Sequence, residues 1–140
     1  MRSETSPSDT RFLSKSEAIA LHAIVVHLFG GARELIDEGK LESALAAPAA
    51  TFDGKLLNET VEEKTAAYWH GLCQAHAFLD GNKRLALTAT YAFLRLNGYR
   101  LMMPEPEAEA TTLAIAKGEL SKDDVAKLLR GHIVSESEPT

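Results

Sequence analysis

Cysteine is nearly missing: Cys73 is the single one in 140 residues, so no disulfide framework can form. It stands among apolar neighbours, reads as an inert core thiol and fits a reducing cytoplasm. No uncharged run is long and apolar enough to span a bilayer, and residues 1–10 lack the apolar core of a signal peptide, so no membrane association or export is expected. Basic character is scarce as well. The net charge is −5 and no basic stripe interleaves with aromatics, which argues against direct nucleic-acid binding. Neither a Walker A loop (Gly-x4-Gly-Lys-Ser/Thr) nor a protein-kinase glycine-rich loop occurs, and no internal repeat is visible. What remains is ordinary globular composition, 45% hydrophobic and 25% charged, at a length suited to one domain with one core.

One stretch concentrates the chemistry: His76-Ala77-Phe78-Leu79-Asp80-Gly81-Asn82-Lys83-Arg84. Ahead of it, Thr65, Tyr68, Trp69, Leu72 and Cys73 recur at helical steps and predict an amphipathic helix ending near His76. Behind it, Leu85 to Leu96 is apolar nearly all round and predicts a buried central helix. The stretch is thus a short loop that turns at Gly81 and delivers polar groups to a helix start. A helix start has unpaired N–H groups and partial positive charge, and so favours phosphate. Asn82 adds an amide there, while Lys83 and Arg84 add cationic donors. Asp80 is a hard oxygen ligand of the kind that holds Mg²⁺ beside substrate phosphates. His76 titrates near neutrality and can take a proton from a hydroxyl. Together these residues describe transfer of a phosphate-containing group. The same residue types also suit plain turn chemistry, with Asp80 or Asn82 capping the next helix and Lys83 and Arg84 solvated. Residue types alone leave both readings open.

Along the rest of the chain, residues 1–13 read as a flexible tail. Ser14 to Glu17 is a capping box opening a helix that stops at Gly30-Gly31. His22 and His27 lie five apart on it, the wrong spacing for a shared metal, and are expected to be structural or solvent-facing. Arg33 to Lys40 reads as a polar connection broken at Gly39, and Lys40 to Ala47 as a short helix ended by Pro48. Thr51-Phe52 and Lys55-Leu56-Leu57 flank Asp53-Gly54, a hairpin signal and the only strand pair expected. Thr60 to Glu63 and Ser121 to Asp124 are further capping boxes, and Pro104 to Pro106 opens a helix that closes at Lys117-Gly118. His70 points away from His76 and is taken as structural. Phe78 reads as a buried anchor that aims His76 and Asp80 outward. Residues 14–133 form the domain and 134–140 an acidic, disordered tail. The fold class is all-α: a bundle of about six helices with one short β-hairpin.

His-x-Phe-x-Asp-Gly-Asn-Lys-Arg resembles the signature of the Fic/Doc superfamily, specifically its Doc (death-on-curing) toxin branch. Gly39 to Leu45 and Tyr91 to Tyr99 are also similar to that branch, and the resemblance covers roughly Ser14 to Ile133. Relatives that transfer AMP resemble His-Pro-Phe-x-x-Gly-Asn-Gly-Arg; here Lys83 stands where they carry the second glycine. The resemblance implies catalytic roles for His76, Asp80, Lys83 and Arg84, and nucleotide binding by Gly81, Asn82, Lys83 and Arg84. It implies Mg²⁺ on Asp80 and ATP as substrate. It further implies a flap, Phe52, Asp53, Gly54 and Lys55, that docks an extended target segment by strand addition. The function implied is a toxin kinase that moves the ATP γ-phosphate to a Ser or Thr hydroxyl of elongation factor Tu and arrests protein synthesis in the cytoplasm. Two alternatives are an AMP transferase and an inactive binding module; Lys83 weighs against the first and the intact motif against the second. No internal Ser/Thr-x-x-x-Glu-Gly/Asn inhibitory segment is found, since Glu34 precedes Glu38-Gly39 at that spacing. Control is therefore expected from a separate prevent-host-death-type antitoxin.

Overall fold

The computed structural model describes residues 9–136; the expectations for residues 1–8 and 137–140 lie outside that range. Six α-helices are described: α1 Lys15–Phe29, α2 Glu38–Ala46, α3 Val61–Ala75, α4 Asn82–Leu96, α5 Glu105–Ala116 and α6 Lys122–Leu129. A hairpin, β1 Thr51–Phe52 with β2 Lys55–Leu56, follows a 3-10 turn at Ala47–Ala49. No described helix is long and apolar enough to cross a membrane.

Helix starts follow local chemistry. Ser14, Thr60 and Ser121 each accept a hydrogen bond from the backbone N–H three residues on, and Glu17, Glu63 and Asp124 return it, completing three capping boxes. Asp37 caps α2 by accepting from Lys40 N–H. Gly39 therefore lies inside the first turn of α2 and does not break it, which moves the helix start forward from Lys40. The hairpin turns where Asp53 and Gly54 both take positive φ, 53° and 77°, as a two-residue type I′ turn requires.

The buried helix at the centre is α3, not α4. Lys64 through Trp69 are six consecutive buried residues, because α2, α4, α5 and α6 all pack around α3. Tyr68 meets Phe93 with ring centroids 4.7 Å apart, and Trp69 Nε1–H donates to Thr112 Oγ1 at 2.9 Å. Burial of one such large side chain contributes about 2–3 kcal/mol. In α4 the buried residues form a stripe, Leu85, Ala86, Ala89, Thr90, Phe93 and Leu94, while Arg95 and Leu96 face solvent. Cys73 is buried, and desolvation raises its thiol pKa, which keeps it protonated and inert.

A second strand pair corrects the expectation of a single hairpin. β3, Tyr99–Leu101, runs antiparallel to β4, Ile133–Ser135, with Arg100 opposite Val134. Val134 and Ser135, expected to open the tail, are thus paired in this ladder, which gives the extended backbone at 99–101 its partners. Beside it, the Asn97 side chain bonds both N–H and C=O of Arg11, and Glu136 N–H donates to Gly98 O at 2.9 Å.

Candidate active site

The motif occupies the turn from the end of α3 to the start of α4. His76 closes α3 in left-handed conformation, φ 50°, one of two non-glycine residues described with positive φ. This bends the chain sharply and leaves the imidazole exposed. Residues 77–79 are then gripped by the segment after α1. Ile36 and Asp37 N–H donate to Ala77 O at 2.8 and 3.0 Å, Leu79 N–H donates to Glu34 O at 3.0 Å, and Leu35 bridges Phe78. Phe78 is buried, as an anchor should be, and the surface-facing His76 and Asp80 flank it.

Under the anchor lies a residue whose place the sequence did not indicate. His22 is buried, stacks on Phe78 with centroids 3.6 Å apart, and its Nε2 bonds Asp80 O at 2.7 Å. A carbonyl only accepts, so Nε2 carries the proton. His22 also fixes why residue 81 is glycine. Gly81 has φ 81°, and a Cβ there would lie 3.3 Å from His22 Nε2. His27 is exposed and His70 half-buried; neither joins the site.

Asp80 is exposed, and its Oδ2 accepts from Ala32 N–H at 2.8 Å. The donor comes from the Gly30-Gly31-Ala32 turn that ends α1. Gly31, φ 113°, approaches so closely that a Cβ would meet the Asp80 Cβ at 3.0 Å. One carboxylate oxygen is thus positioned by backbone, and Oδ1 stays open. The residues fit a cation held by one carboxylate together with ligand phosphates; among the described residues no cluster of three or more His, Cys, Asp or Glu could hold a metal alone.

Asn82 departs from the role expected of it. Its Oδ1 accepts from Phe78 N–H at 3.1 Å and its Nδ2 donates to Phe78 O at 2.8 Å. The amide pairs with the loop as a peptide group would, at roughly 1 kcal/mol per bond, so it shapes the turn before it serves any ligand. The uncapped donors at this turn are those of the backbone. Helix α4 begins on Gly81 with no side-chain cap, whereas α1, α2, α3 and α6 cap their own starts. Lys83 and Arg84, both exposed, stand on this open first turn, with the Arg84 guanidinium 3.8 Å over the Phe29 ring. They border a groove of about 220 Å³ shared with Leu87, Glu109, Thr112 and Leu113. A wider groove of about 650 Å³ runs between α2 and α3 to Gln74 and Ala75. The hairpin residues Phe52, Asp53, Gly54 and Lys55 are all exposed and lie outside both linings.

The structure therefore brings His76, Asp80, Gly81, Lys83 and Arg84 to one uncapped helix start, adds His22 beneath it, and turns the Asn82 amide inward. Comparison with known proteins identifies the family. The model of the Fic/DOC family matches residues 12–94, from before α1 nearly to the end of α4. A protein of Escherichia phage P1 named "Protein kinase doc" is 33% identical over 120 residues, covering 86% of this chain and 94% of its own. A protein of Mycolicibacterium smegmatis named "Toxin Doc" is 32% identical over 124 residues, covering 87% of this chain and 93% of its own. The chain belongs to the Fic/DOC family.

Proposed function

We propose that this chain is the toxin of a toxin–antitoxin module and acts as a protein kinase, transferring the γ-phosphate of ATP to a Ser or Thr hydroxyl of elongation factor Tu. The observation that carries the reading is the open start of α4, with free backbone donors, two cations and a carboxylate beside an exposed histidine. The names of the two relatives support the same direction.

His76 accepts the proton of the target hydroxyl as its oxygen forms a bond to the γ-phosphorus. The bond from that phosphorus to the β–γ bridging oxygen breaks, and ADP leaves. The helix-start N–H groups, Lys83 and Arg84 bind the phosphate oxygens and stabilise the charge that spreads over them, the main task in phosphoryl transfer. Asp80 is the residue that would hold Mg²⁺, and the ion would neutralise phosphate charge there. Lys83 fills space where AMP-transferring relatives carry glycine, and so favours ATP bound with its γ-phosphate at the motif. The exposed hairpin aligns an extended target segment by main-chain pairing. A prevent-host-death-type antitoxin restrains the enzyme in the cytoplasm.

The test is a transfer assay with purified protein, Mg²⁺ and elongation factor Tu, using ATP labelled at the α- or the γ-phosphate. Label from γ alone, lost in His76→Ala, is expected. Label from α would make the chain a nucleotide transferase, and label from neither would overturn the proposal.

A further inference from the structure

The hairpin flap has strands of only two residues each, too short to hold an orientation by themselves. Its direction is set at its base. Leu57 N–H donates to Ala50 O at 3.0 Å and closes the stem. Next comes Asn58, a polar residue only 3% exposed. Its Nδ2 donates to Ala47 O at 3.1 Å, gripping the turn that leads into the flap. Its Oδ1 accepts from Lys122 Nζ at 2.6 Å. Lys122 is the first residue of α6, sixty-four positions away in sequence. Immediately beyond, Glu59 O accepts from the buried Lys64 Nζ at 2.8 Å. The entry and exit of the flap thus meet at one buried amide, and a distant ammonium fixes that amide's rotamer. Such an arrangement does more than fill space. A buried amide oxygen that loses a charged donor is left unsatisfied, and the cheapest relief is for Asn58 to swing out and release Ala47.

We infer that Lys122 is a positioning residue for the flap, acting through Asn58, and thereby sets affinity for the protein target without touching the phosphoryl-transfer chemistry. The part concerning target affinity rests on the docking role proposed above. The pinning of the flap does not.

The experiment uses the full chain with Lys122→Met, which keeps the aliphatic stem, and Lys122→Arg, which keeps a donor. Amide hydrogen exchange at Leu57 is expected to quicken about tenfold in Lys122→Met, the loss of one charged hydrogen bond, while α4 amides hold their rates. KM for elongation factor Tu is expected to rise about tenfold with KM for ATP and kcat unchanged, and Lys122→Arg to recover most of both effects. Unchanged exchange at Leu57 overturns the pinning. Faster exchange with an unmoved target KM overturns the link to docking. If Lys122→Met loosens the whole domain, Lys122→Gln decides, since it stays polar but is one bond shorter and loses the charged contact to Asn58. Exchange confined to the flap then supports the inference, and none overturns it. A wild-type chain with no transfer activity sinks the kinase reading, while the exchange result still decides the pinning.

Discussion

Helices α1 and α4 are both fifteen residues long and pack against each other, yet they begin in opposite ways. At the start of α1, Ser14 and Glu17 satisfy each other's backbone donors, and Arg11 pairs with Glu17 at 2.6 Å. At the start of α4, Gly81 has no side chain to offer, and the nearest amide, Asn82, is turned back onto Phe78. The first arrangement consumes its own polarity for stability. The second withholds it, which costs about 1 kcal/mol of capping and leaves donors for a ligand. The difference separates a helix start closed by its own side chains from one left open beside the motif.

Breaking the open end should be the more costly to activity. His76→Ala removes the proton acceptor and is expected to cut γ-phosphate transfer by about 10²–10⁴-fold with the thermal midpoint little changed, measured by radiolabel transfer alongside calorimetry. Gly81→Ala should come next. It forces a Cβ into left-handed backbone against His22, at about 1–2 kcal/mol of strain, and transfer should fall about tenfold as the loop shifts. At the closed end, Ser14→Ala should cost about 1 kcal/mol in denaturant unfolding with transfer per folded molecule unaltered. The smallest effect is one of pH. The Ser14 N–H, and then Arg11, hold the Glu17 carboxyl below its ordinary pKa. A lowered carboxylate pKa stabilises the fold above the unfolded value and ceases to as pH falls through the folded one. The melting difference between wild type and Glu17→Gln should therefore shrink on acidification below about pH 4.5. A difference that grew instead would mean the capping carboxylate is not the group responsible.

Much of this contrast was legible in the sequence because it is local. A capping box spans four residues, and Asp53-Gly54 announces its own hairpin. The motif and its family resemblance pointed to His76, Asp80, Lys83 and Arg84, all of which the structure gathers at one helix end. What escaped was carried by distance or by ambiguity. β3 and β4 pair across α5 and α6, and short segments such as 99–101 and 133–135 show no periodicity strong enough to announce it. His22 meets Asp80 across fifty-eight positions. An asparagine at a turn can serve a ligand or mimic a peptide, and only the fold shows Asn82 doing the second. The periodicity placed Thr65 on the apolar face of α3, but nothing local shows that the neighbouring Lys64 is enclosed as well.

The junction at the far end of α4 has a practical consequence. Arg11 is bound to Asn97, and Glu136 is bound to Gly98 and reaches Arg95 at 3.5 Å, so the two borders of the described chain converge there. A fifteen-residue helix of about 22 Å separates that junction from the motif. Residues 11 and 136 could accordingly be joined by a short linker and the chain reopened at the exposed Lys117–Gly118 turn. The circular permutant would leave every residue of the His76–Arg84 turn in its original covalent order.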